Sequence, residues 1–295
     1  MSKLKSQKSF LNQDQSGTLY VVPTPIGNLE DLTIRALNIL KTVDLIGAED
    51  TRNTKKLLTH YEIHCPLTSY HEHSDDSKVN YLMSELQAGK QIAIVSDAGM
   101  PGISDPGAVL IQQAIEAELN VVVLPGANAA LCALVGSGLP TEQFYFYGFL
   151  PRKNKDRKQA WQDLSNQQGT IILYESPYRL KATLTDLKEN LGNRRIAVAR
   201  ELTKKFEEYV RGTVDEVLEW AETGMIKGEF CIVIEGNERS TQVETEWWKE
   251  LTIMEHVEHY IEAEQLMSKE AIKKVAKERG LQKRDVYQVY HRIEH

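Results

Sequence analysis

The chain has 295 residues, of which 41% are hydrophobic and 26% are charged, and its formal net charge is −7. This composition supplies enough apolar side chain for a packed core, so collagen-like and wholly disordered classes are excluded, and the length favours two domains with a small third unit. The negative charge excludes a uniformly basic nucleic-acid-binding surface, although local basic patches are compatible with it.

The amino-terminal residues and the cysteines indicate where the protein works. Three widely separated cysteines and no CxxC motif favour a reducing cytoplasm over a disulfide framework or a zinc knuckle. Residues 1–16 are polar and lack the apolar stretch of a signal peptide, which predicts a disordered tail. The longest apolar run, 121–135, is broken by Pro125, Gly126 and Asn128, whereas a membrane span needs about 20 mostly apolar residues. We therefore expect a cytoplasmic protein without a membrane span.

From residue 17 onward, short apolar runs alternate with segments of helical period, which predicts an α/β protein. Strands are predicted at 18–23, 43–48, 91–96, 120–124, 144–149, 170–174, 196–199 and 230–235. Helices are predicted at 29–40, 51–58, 157–164 and 180–191. A helix is also predicted after the Gly/Pro turn that follows each of the strands at 91–96 and 120–124. The pattern restarts near Pro140, which predicts an N-terminal α/β domain over 17–142 and a second α/β domain over 143–238.

The composition changes after Gly236, so residues 239–295 form a third unit. Residues 240–267 are acidic and contain Trp247, whereas 268–295 are basic. The basic part predicts a helix with Ser268 as its N-cap, a turn at Gly280 and a second helix. The apolar residues expected to share the buried faces are Ala271, Ile272, Val275, Ala276, Val286, Tyr287, Val289 and Tyr290. This pattern is typical of a helix-turn-helix, and a helical hairpin packed on the body is the alternative.

Three loops rich in Gly and Pro, at 23–28, 96–107 and 125–128, each follow a predicted strand. Ligands of open α/β sheets bind outside the carboxyl ends of the strands, where glycine permits close backbone approach and helix N-termini offer free N–H groups. The loops contain neither GxGxxG nor GxxxxGK[ST], which argues against a Rossmann dinucleotide site and a P-loop. They predict a site for another nucleotide-like small molecule.

Metal and serine-hydrolase chemistry find little support. The close histidine pairs, His71 with His73 and His256 with His259, lie neither in an HExxH motif nor beside cysteines, so solvated or hydrogen-bonded histidines are favoured and no metal is expected. The chain has no GxSxG motif, and Ser104 is interpreted as a turn residue.

Charged residues follow several predicted strands. Asp50 and Arg52 close the second strand, where Asp50 is either part of a catalytic group or the cap of the following helix. Glu175 and Arg179 follow the strand at 170–174 in the same way. The segment 152–158 carries five basic residues just after an aromatic strand, and basic residues beside aromatic ones suit RNA. A solvated run of charge is the alternative for this segment.

Several strings resemble the ribosomal RNA small subunit methyltransferase I family, the ribosomal branch of the tetrapyrrole methylases. In chain order they are LYVVPTPIGNL (19–29), AEDTR (48–52), SDAGMPGISDPG (96–107), YGFLPRK (147–153), YESPYR (174–179), RELTKKFEE (200–208) and KGEFCIVIEG (227–236). The resemblance implies two α/β domains of the class III methyltransferase type, with S-adenosylmethionine in the cleft between them, a small C-terminal helical unit and a homodimer. It also implies methylation of the 2'-hydroxyl of a decoding-region cytidine in 16S rRNA of the small ribosomal subunit.

The sequence departs from the family pattern at a few positions. Met100 stands where Thr is common, Ala127 where Pro is common and Tyr178 where His is common, so a catalytic histidine is not expected at 178. The loop 23–28 replaces the Gly-rich first loop of the tetrapyrrole branch, which argues against a corrin or porphyrin substrate.

Candidate site residues come from two sources. Some match positions of the family motifs, and others lie at the ends of predicted strands. The resemblance implies cofactor contacts from Pro25, Ile26, Ser96, Asp97, Ala98, Gly99, Met100, Asn128, Ala129, Tyr174, Glu175, Ser176, Leu202 and Phe230. From their location at strand ends, Asp50 and Glu175 are candidate general bases, and Arg52 is expected to position a phosphate or to lower the pKa of the hydroxyl. RNA contacts are expected from Arg152, Lys153, Lys155, Arg157, Lys158 and Arg179. A tetrapyrrole or diphthine-type methylase and a non-catalytic RNA-binding factor are the alternative functions.

Overall fold

The computed structural model describes residues 6–7, 17–71, 76–224, 226–237, 248, 251–263 and 265–291. The chain divides into two units, Met1–Asn237 and Glu238–His295. Within the predicted tail, the side-chain amide of Gln7 exchanges two hydrogen bonds with the backbone of Val121, and the rest of the tail beyond residues 6 and 7 lies outside the described residues. His73 and Trp247 lie outside them as well.

The first sheet of the larger unit consists of five parallel strands. They are β1 (Thr18–Val21), β2 (Leu45–Ala48), β3 (Leu67–Ser69), β4 (Gln91–Val95) and β5 (Asn120–Val123), in the spatial order β3-β2-β4-β1-β5. The inner strands are largely apolar because helices cover both faces of the sheet, whereas the edge strand β3 is only partly buried. Leu19 and Val21 pack into the core on one face, whereas Ile46 and Ala48 pack into the core on the other.

Four helices cover this sheet, two on each face. They are α1 (Ile34–Thr42), α2 (Thr51–His60), α3 (Asp76–Gln87) and α4 (Ala108–Glu116). Leu40 of α1 and Leu58 of α2 belong to one core, and Leu82 of α3 and Leu110 of α4 belong to the other. The chain therefore leaves β1 toward one face and β4 toward the opposite face. Because β1 and β4 are neighbours, their carboxyl ends form a topological switch point, the usual ligand site of such sheets.

The next helix, α5 (Ala129–Ser137), and a second five-stranded sheet complete this unit. The strands are β6 (Phe144–Phe149), β7 (Thr170–Glu175), β8 (Arg195–Arg200), β9 (Glu208–Thr213) and β10 (Phe230–Ile234), in the order β6-β7-β10-β8-β9. β6 and β7 are parallel, and the other neighbours are antiparallel. One face is covered by α6 (Asn154–Ser165), α7 (Leu180–Leu191) and α8 (Val214–Thr223). The buried residues Ala133 and Leu134 show that α5 covers the other face, although it precedes residue 143 in sequence.

The described part of the smaller unit contains three helices, α9 (Ile253–Ala263), α10 (Ser268–Glu278) and α11 (Lys283–Tyr290), around their own apolar core. Met267 occupies the N-cap position of α10 without a side-chain hydrogen bond, so the prediction of Ser268 as the cap was wrong, and Ser268 is the first helical residue. Val286 is buried as expected, whereas Tyr287 and Val289 are exposed and do not join the core.

The predicted α/β class is confirmed, with differences in detail. The predicted helix over 29–40 is a short 3-10 helix (Leu29–Asp31) followed by α1, because Thr33 caps α1 and its hydroxyl oxygen accepts a hydrogen bond from Ala36 N at 3.0 Å. The sequence pattern did not indicate β3, α3, β9, α8 or α9. Among the described residues, no helix combines the length and apolarity that a membrane crossing requires.

Candidate active site

The loops after β1 and β4 are joined at the switch point. Thr24 N donates to Gly99 O at 2.9 Å, and Gly99 N donates to Thr24 O at 3.0 Å. The Thr24 hydroxyl also donates to Ser96 O at 3.0 Å. Gly99 has a φ of +76°, and a Cβ atom there would lie 3.3 Å from Ile26 Cγ2, so both the backbone conformation and the space favour glycine. These bonds fix the two loops relative to each other.

A cavity of about 440 Å³ lies between the two sheets, next to these loops. This volume falls within the usual range of small-molecule sites. Most of the predicted cofactor contacts line it, namely Ile26, Ala98, Gly99, Met100, Asn128, Ala129, Tyr174, Glu175, Ser176, Leu202 and Phe230. The structure therefore brings residues from distant segments of the chain together around one cavity.

The remaining three predicted contacts, Pro25, Ser96 and Asp97, line a smaller neighbouring cavity together with residues of α2. Asp97 connects the loop after β4 to the start of α2. Its Oδ1 accepts a hydrogen bond from Asp50 N at 3.1 Å, and its Oδ2 accepts one from Asn53 Nδ2 at 3.0 Å. The end of β4 is thus held against the start of α2.

The cavity lining also includes residues that were not predicted as cofactor contacts: Ile103, Ser104, Asp105, Phe149, Pro177, Ala199, Glu201, Lys204, Glu229 and Cys231. Positive φ angles occur in two of these residues, Ser104 (60°) and Glu201 (50°), and in Thr203 (66°), two residues after Glu201. Such backbone conformations cost energy in residues other than glycine and cluster at functional sites. The recognised strings at 96–107 and 200–208 were sequence signals for Ser104, Asp105 and Glu201, although neither string indicated the positive φ angles.

Asp105 is a partly buried carboxyl group in this lining. Burial, followed by the nearby Glu49 carboxylate, raises the pKa of Asp105 to about 7, and a hydrogen bond with Ser96 opposes this rise. Asp97 and Glu229 add smaller repulsions. Asp105 therefore titrates near neutral pH, and a bound cation would favour its ionised form.

Tyr174 links the two halves of the larger unit. Its hydroxyl oxygen accepts a hydrogen bond from Ala130 N at 3.1 Å, which satisfies one of the free N–H groups at the start of α5. The rings of Phe146 and Phe149 meet the Tyr174 ring edge-on, with centroid distances of 5.0 and 5.6 Å. Burial raises the pKa of Tyr174 above its usual range, so the hydroxyl stays neutral at physiological pH.

Glu175, at the end of β7, is almost fully buried and has partners for both carboxylate oxygens. Its Oε1 accepts a hydrogen bond from Ser176 N at 2.8 Å, and its Oε2 accepts one from the Thr183 hydroxyl at 2.6 Å. The Nε atom of Arg179 lies 3.6 Å from Oε1. These groups compensate the burial of a negative charge beside the cavity.

Asp50 and Arg52 form a pair outside the lining of the 440 Å³ cavity. Asp50 is the N-cap of α2, where its Oδ1 accepts a hydrogen bond from Arg52 N at 2.8 Å, and its Oδ2 accepts one from Arg52 Nη2 at 2.7 Å. These bonds lower the pKa of Asp50 to about 2. Because so acidic a carboxylate accepts protons weakly at neutral pH, the geometry favours the capping alternative for Asp50. The Arg52 side chain is 86% exposed.

The predicted RNA-binding residues separate into two groups. Arg157 is held internally, with its Nε 2.5 Å from Asp186 Oδ2 and its Nη2 3.2 Å from the Thr183 hydroxyl. Arg179 donates to Leu150 O at 3.0 Å. These two arginines therefore hold neighbouring elements together and offer little to a ligand. The exposed members of the group are Arg152, Lys153, Lys155 and Lys158.

Known proteins are similar to this chain in fold and in sequence. A family model described as Tetrapyrrole (Corrin/Porphyrin) Methylases matches residues 18–218. The solved structure of the methyltransferase CobJ has a TM-score of 0.57 at 17% identity, covering 75% of this chain and 95% of that one, which shows the same fold. The two sheets with a cavity at the switch point thus have the architecture of a tetrapyrrole methylase.

Two relatives match at much higher identity. Ribosomal RNA small subunit methyltransferase I of Bacillus subtilis (strain 168) is 54% identical over 289 residues, covering 98% of this chain and 99% of that protein. The protein of the same name from Halalkalibacterium halodurans is 53% identical over 288 residues, with the same coverage of 98% and 99%. The chain belongs to the tetrapyrrole methylase family and, within it, to the group of ribosomal RNA small subunit methyltransferases I.

Proposed function

We propose that this chain transfers the methyl group of S-adenosylmethionine to the 2'-oxygen of a cytidine ribose in the decoding region of 16S rRNA. The observation that carries the proposal is the 440 Å³ cavity at the switch point of a chain that is 54% identical to a ribosomal RNA small subunit methyltransferase over nearly its whole length. Methylation of small-subunit rRNA follows from that kinship, and the ribose oxygen and the cytidine are the finer part of the proposal.

The residues around the cavity fit S-adenosylmethionine. Met100, Leu202 and Phe230 supply apolar surface for an adenine ring, and the N-terminus of α5 at Asn128 supplies polar backbone groups. Gly99 leaves open the space beside Ile26 that a Cβ atom would fill. The cofactor supplies a methyl group that its sulfonium already activates.

The chain then has to orient the acceptor hydroxyl and take its proton. Correct placement of the reacting groups supplies much of the rate in such a transfer. Of the two predicted bases, Glu175 lies in the cavity lining, whereas Asp50 lies outside it and caps α2. We therefore assign proton removal to Glu175, and we assign to Arg52 the positioning of a phosphate of the substrate. A general base of this kind contributes about 10²–10⁴-fold to the rate.

The exposed cations Arg152, Lys153, Lys155 and Lys158 are proposed to bind phosphates of the rRNA. Small-subunit rRNA as substrate is consistent with a cytoplasmic location. A homodimer is proposed through the outward side of α5, where Leu131 is 48% exposed and Val135 is 75% exposed although both are large apolar side chains.

The proposed function is tested with small ribosomal subunits from a strain that lacks the modification. Incubation with methyl-labelled S-adenosylmethionine should place the label in 16S rRNA, and nuclease digestion should release it as 2'-O-methylcytidine. A Gly99→Val variant, checked for folding, should transfer little label. Label in protein or in a tetrapyrrole, with none in rRNA, would contradict the proposal.

A further inference from the structure

A strip of basic side chains runs along α2 and extends from Arg52, to which a phosphate of the substrate has been assigned. Arg52, Lys55, Lys56 and His60 lie at helical spacing along the helix, and together with Thr59 they line a shallow surface groove. All of these side chains belong to exposed residues. The ten-residue helix TRNTKKLLTH contains neither Asp nor Glu.

This arrangement of charge is unfavourable for the helix itself. Like charges three or four residues apart repel each other, and a cation in the first turn, such as Arg52, faces the positive end of the helix dipole. Asp50 offsets part of this cost through its 2.7 Å ion pair with Arg52. Within the part of the chain that the structure describes, Lys55 and Lys56 have no carboxylate partner. A polyanion bound along the strip would remove the repulsion.

The strip leads to the candidate active site. Lys56 lines the smaller cavity together with Pro25, Ser96 and Asp97, which belong to the predicted cofactor contacts. Asp97 is hydrogen-bonded to Asn53 of the same helix at 3.0 Å. A phosphate chain bound along α2 would therefore reach the loops at the switch point.

We propose that α2 is a second RNA-docking surface, on which Arg52, Lys55, Lys56 and His60 bind phosphates of the rRNA strand that enters the active site. The inference rests on the proposed function, since it requires an RNA substrate. From Arg52 to His60 the strip extends about 12 Å along the helix axis, which is long enough to contact more than one phosphate. It lies on the helices of the first sheet, whereas the basic segment 152–158 belongs to the second sheet. Together they would hold the RNA from both halves of the unit.

The test compares two pairs of neutralised lysines in the full-length protein. The variant Lys55→Gln/Lys56→Gln removes two charges from the strip, and the control Lys41→Gln/Lys181→Gln removes two charges from exposed helix positions outside it. The probe is an RNA oligonucleotide with the decoding-region sequence, titrated over a range of salt concentrations. Each phosphate contact that is lost should reduce the salt dependence by about 0.7 log units per log unit of salt for a single strand.

We expect the strip variant to lose about 1.4 log units of salt dependence for its two contacts and to bind the RNA at least fivefold more weakly. Its KM for the RNA should rise and its affinity for S-adenosylmethionine should match that of the control. Its melting temperature should equal or exceed that of the control, because two mutually repelling charges are removed from the helix. A salt dependence and a KM equal to those of the control would overturn the proposal. So would a raised KM on ribosomal subunits with unchanged binding of naked RNA, because it would indicate a protein partner. Failure of the proposed function is distinguishable, since the wild-type protein would then label no rRNA at all.

Discussion

Asp105 gives the sharpest prediction, because its protonation should control the affinity for the cofactor. It lines the cavity, and its pKa of about 7 arises from burial and from the Glu49 carboxylate. A cationic cofactor favours the ionised carboxylate, so binding and deprotonation are coupled. With this pKa, about 10% of the protein carries the carboxylate at pH 6 and about 90% at pH 8. If the ionised form is the one that binds, the apparent affinity should rise about tenfold between these pH values.

The assay is titration calorimetry of S-adenosylmethionine at pH 6, 7 and 8, in buffers of different ionisation enthalpy so that released protons are counted. Asp105→Asn should remove the rise in affinity and the proton release, whereas the exposed Asp156→Asn should retain both. Because the cofactor's own amino group titrates equally in each experiment, the difference between variants isolates Asp105. S-adenosylhomocysteine, which lacks the sulfonium charge, should show a weaker dependence on pH.

The same pKa predicts how the stability of the protein without cofactor depends on pH. The folded-state pKa of Asp105 lies above its ordinary value of 3.8, so the folded protein loses stability as the pH rises from that value to about 7. Asp105→Asn should therefore melt at a higher temperature than the wild type at pH 8 and at a similar temperature at pH 4. An identical pH dependence of cofactor affinity in wild type and Asp105→Asn would refute the reasoning.

Three further substitutions test other parts of the site. Gly99→Val should weaken S-adenosylmethionine binding tenfold or more, about 1.4 kcal/mol, because glycine's positive φ and the open space are both lost; unchanged calorimetric affinity in the folded variant would remove this loop from the site. Asp50→Ala should lower the melting temperature by a few degrees at pH 7, because the cap of α2 is lost. This difference in melting temperature from the wild type should shrink only as the pH falls from 3.8 toward 2. A large loss of single-turnover rate with normal melting would instead restore a catalytic role for Asp50. Glu175→Gln should slow single turnover by about 10²-fold or more at saturating cofactor, and a rate within a fewfold of wild type would leave Glu175 a structural role.

The fold was predictable where single segments carry their own pattern. The helix α7 was predicted with both ends correct, because its apolar residues keep helical spacing up to Gly192, which ends it. The strands β3 and β9 were missed because they lie at sheet edges and are only partly buried, so their sequences lack an apolar run. The helix α8 was also missed, although Thr213 and Glu216 form a capping box whose T-x-x-E spacing is visible in the sequence.

The site was predictable in its loops and less so in its contacts. The strings around Gly99 and Asn128 were recognised because loops at strand ends use Gly, Pro and Asn for local reasons of backbone geometry. The internal partners of Arg157 and Arg179 depend on residues far along the chain, such as Asp186 and Leu150, and local sequence does not reveal them. The same holds for the raised pKa of Asp105, which arises first from burial in the folded chain and then from Glu49 at another strand end.

The central claim is that the methyl group goes to a ribose oxygen of rRNA, and one substitution in the substrate tests it directly. Two matched decoding-region RNAs are prepared, one of which carries a single 2'-deoxycytidine in place of the target cytidine. With labelled S-adenosylmethionine in single turnover, we expect the ribose substrate to be labelled and the deoxy substrate to remain unlabelled, although both bind with similar affinity. Equal labelling of the two RNAs would place the methyl group on the base and contradict the account.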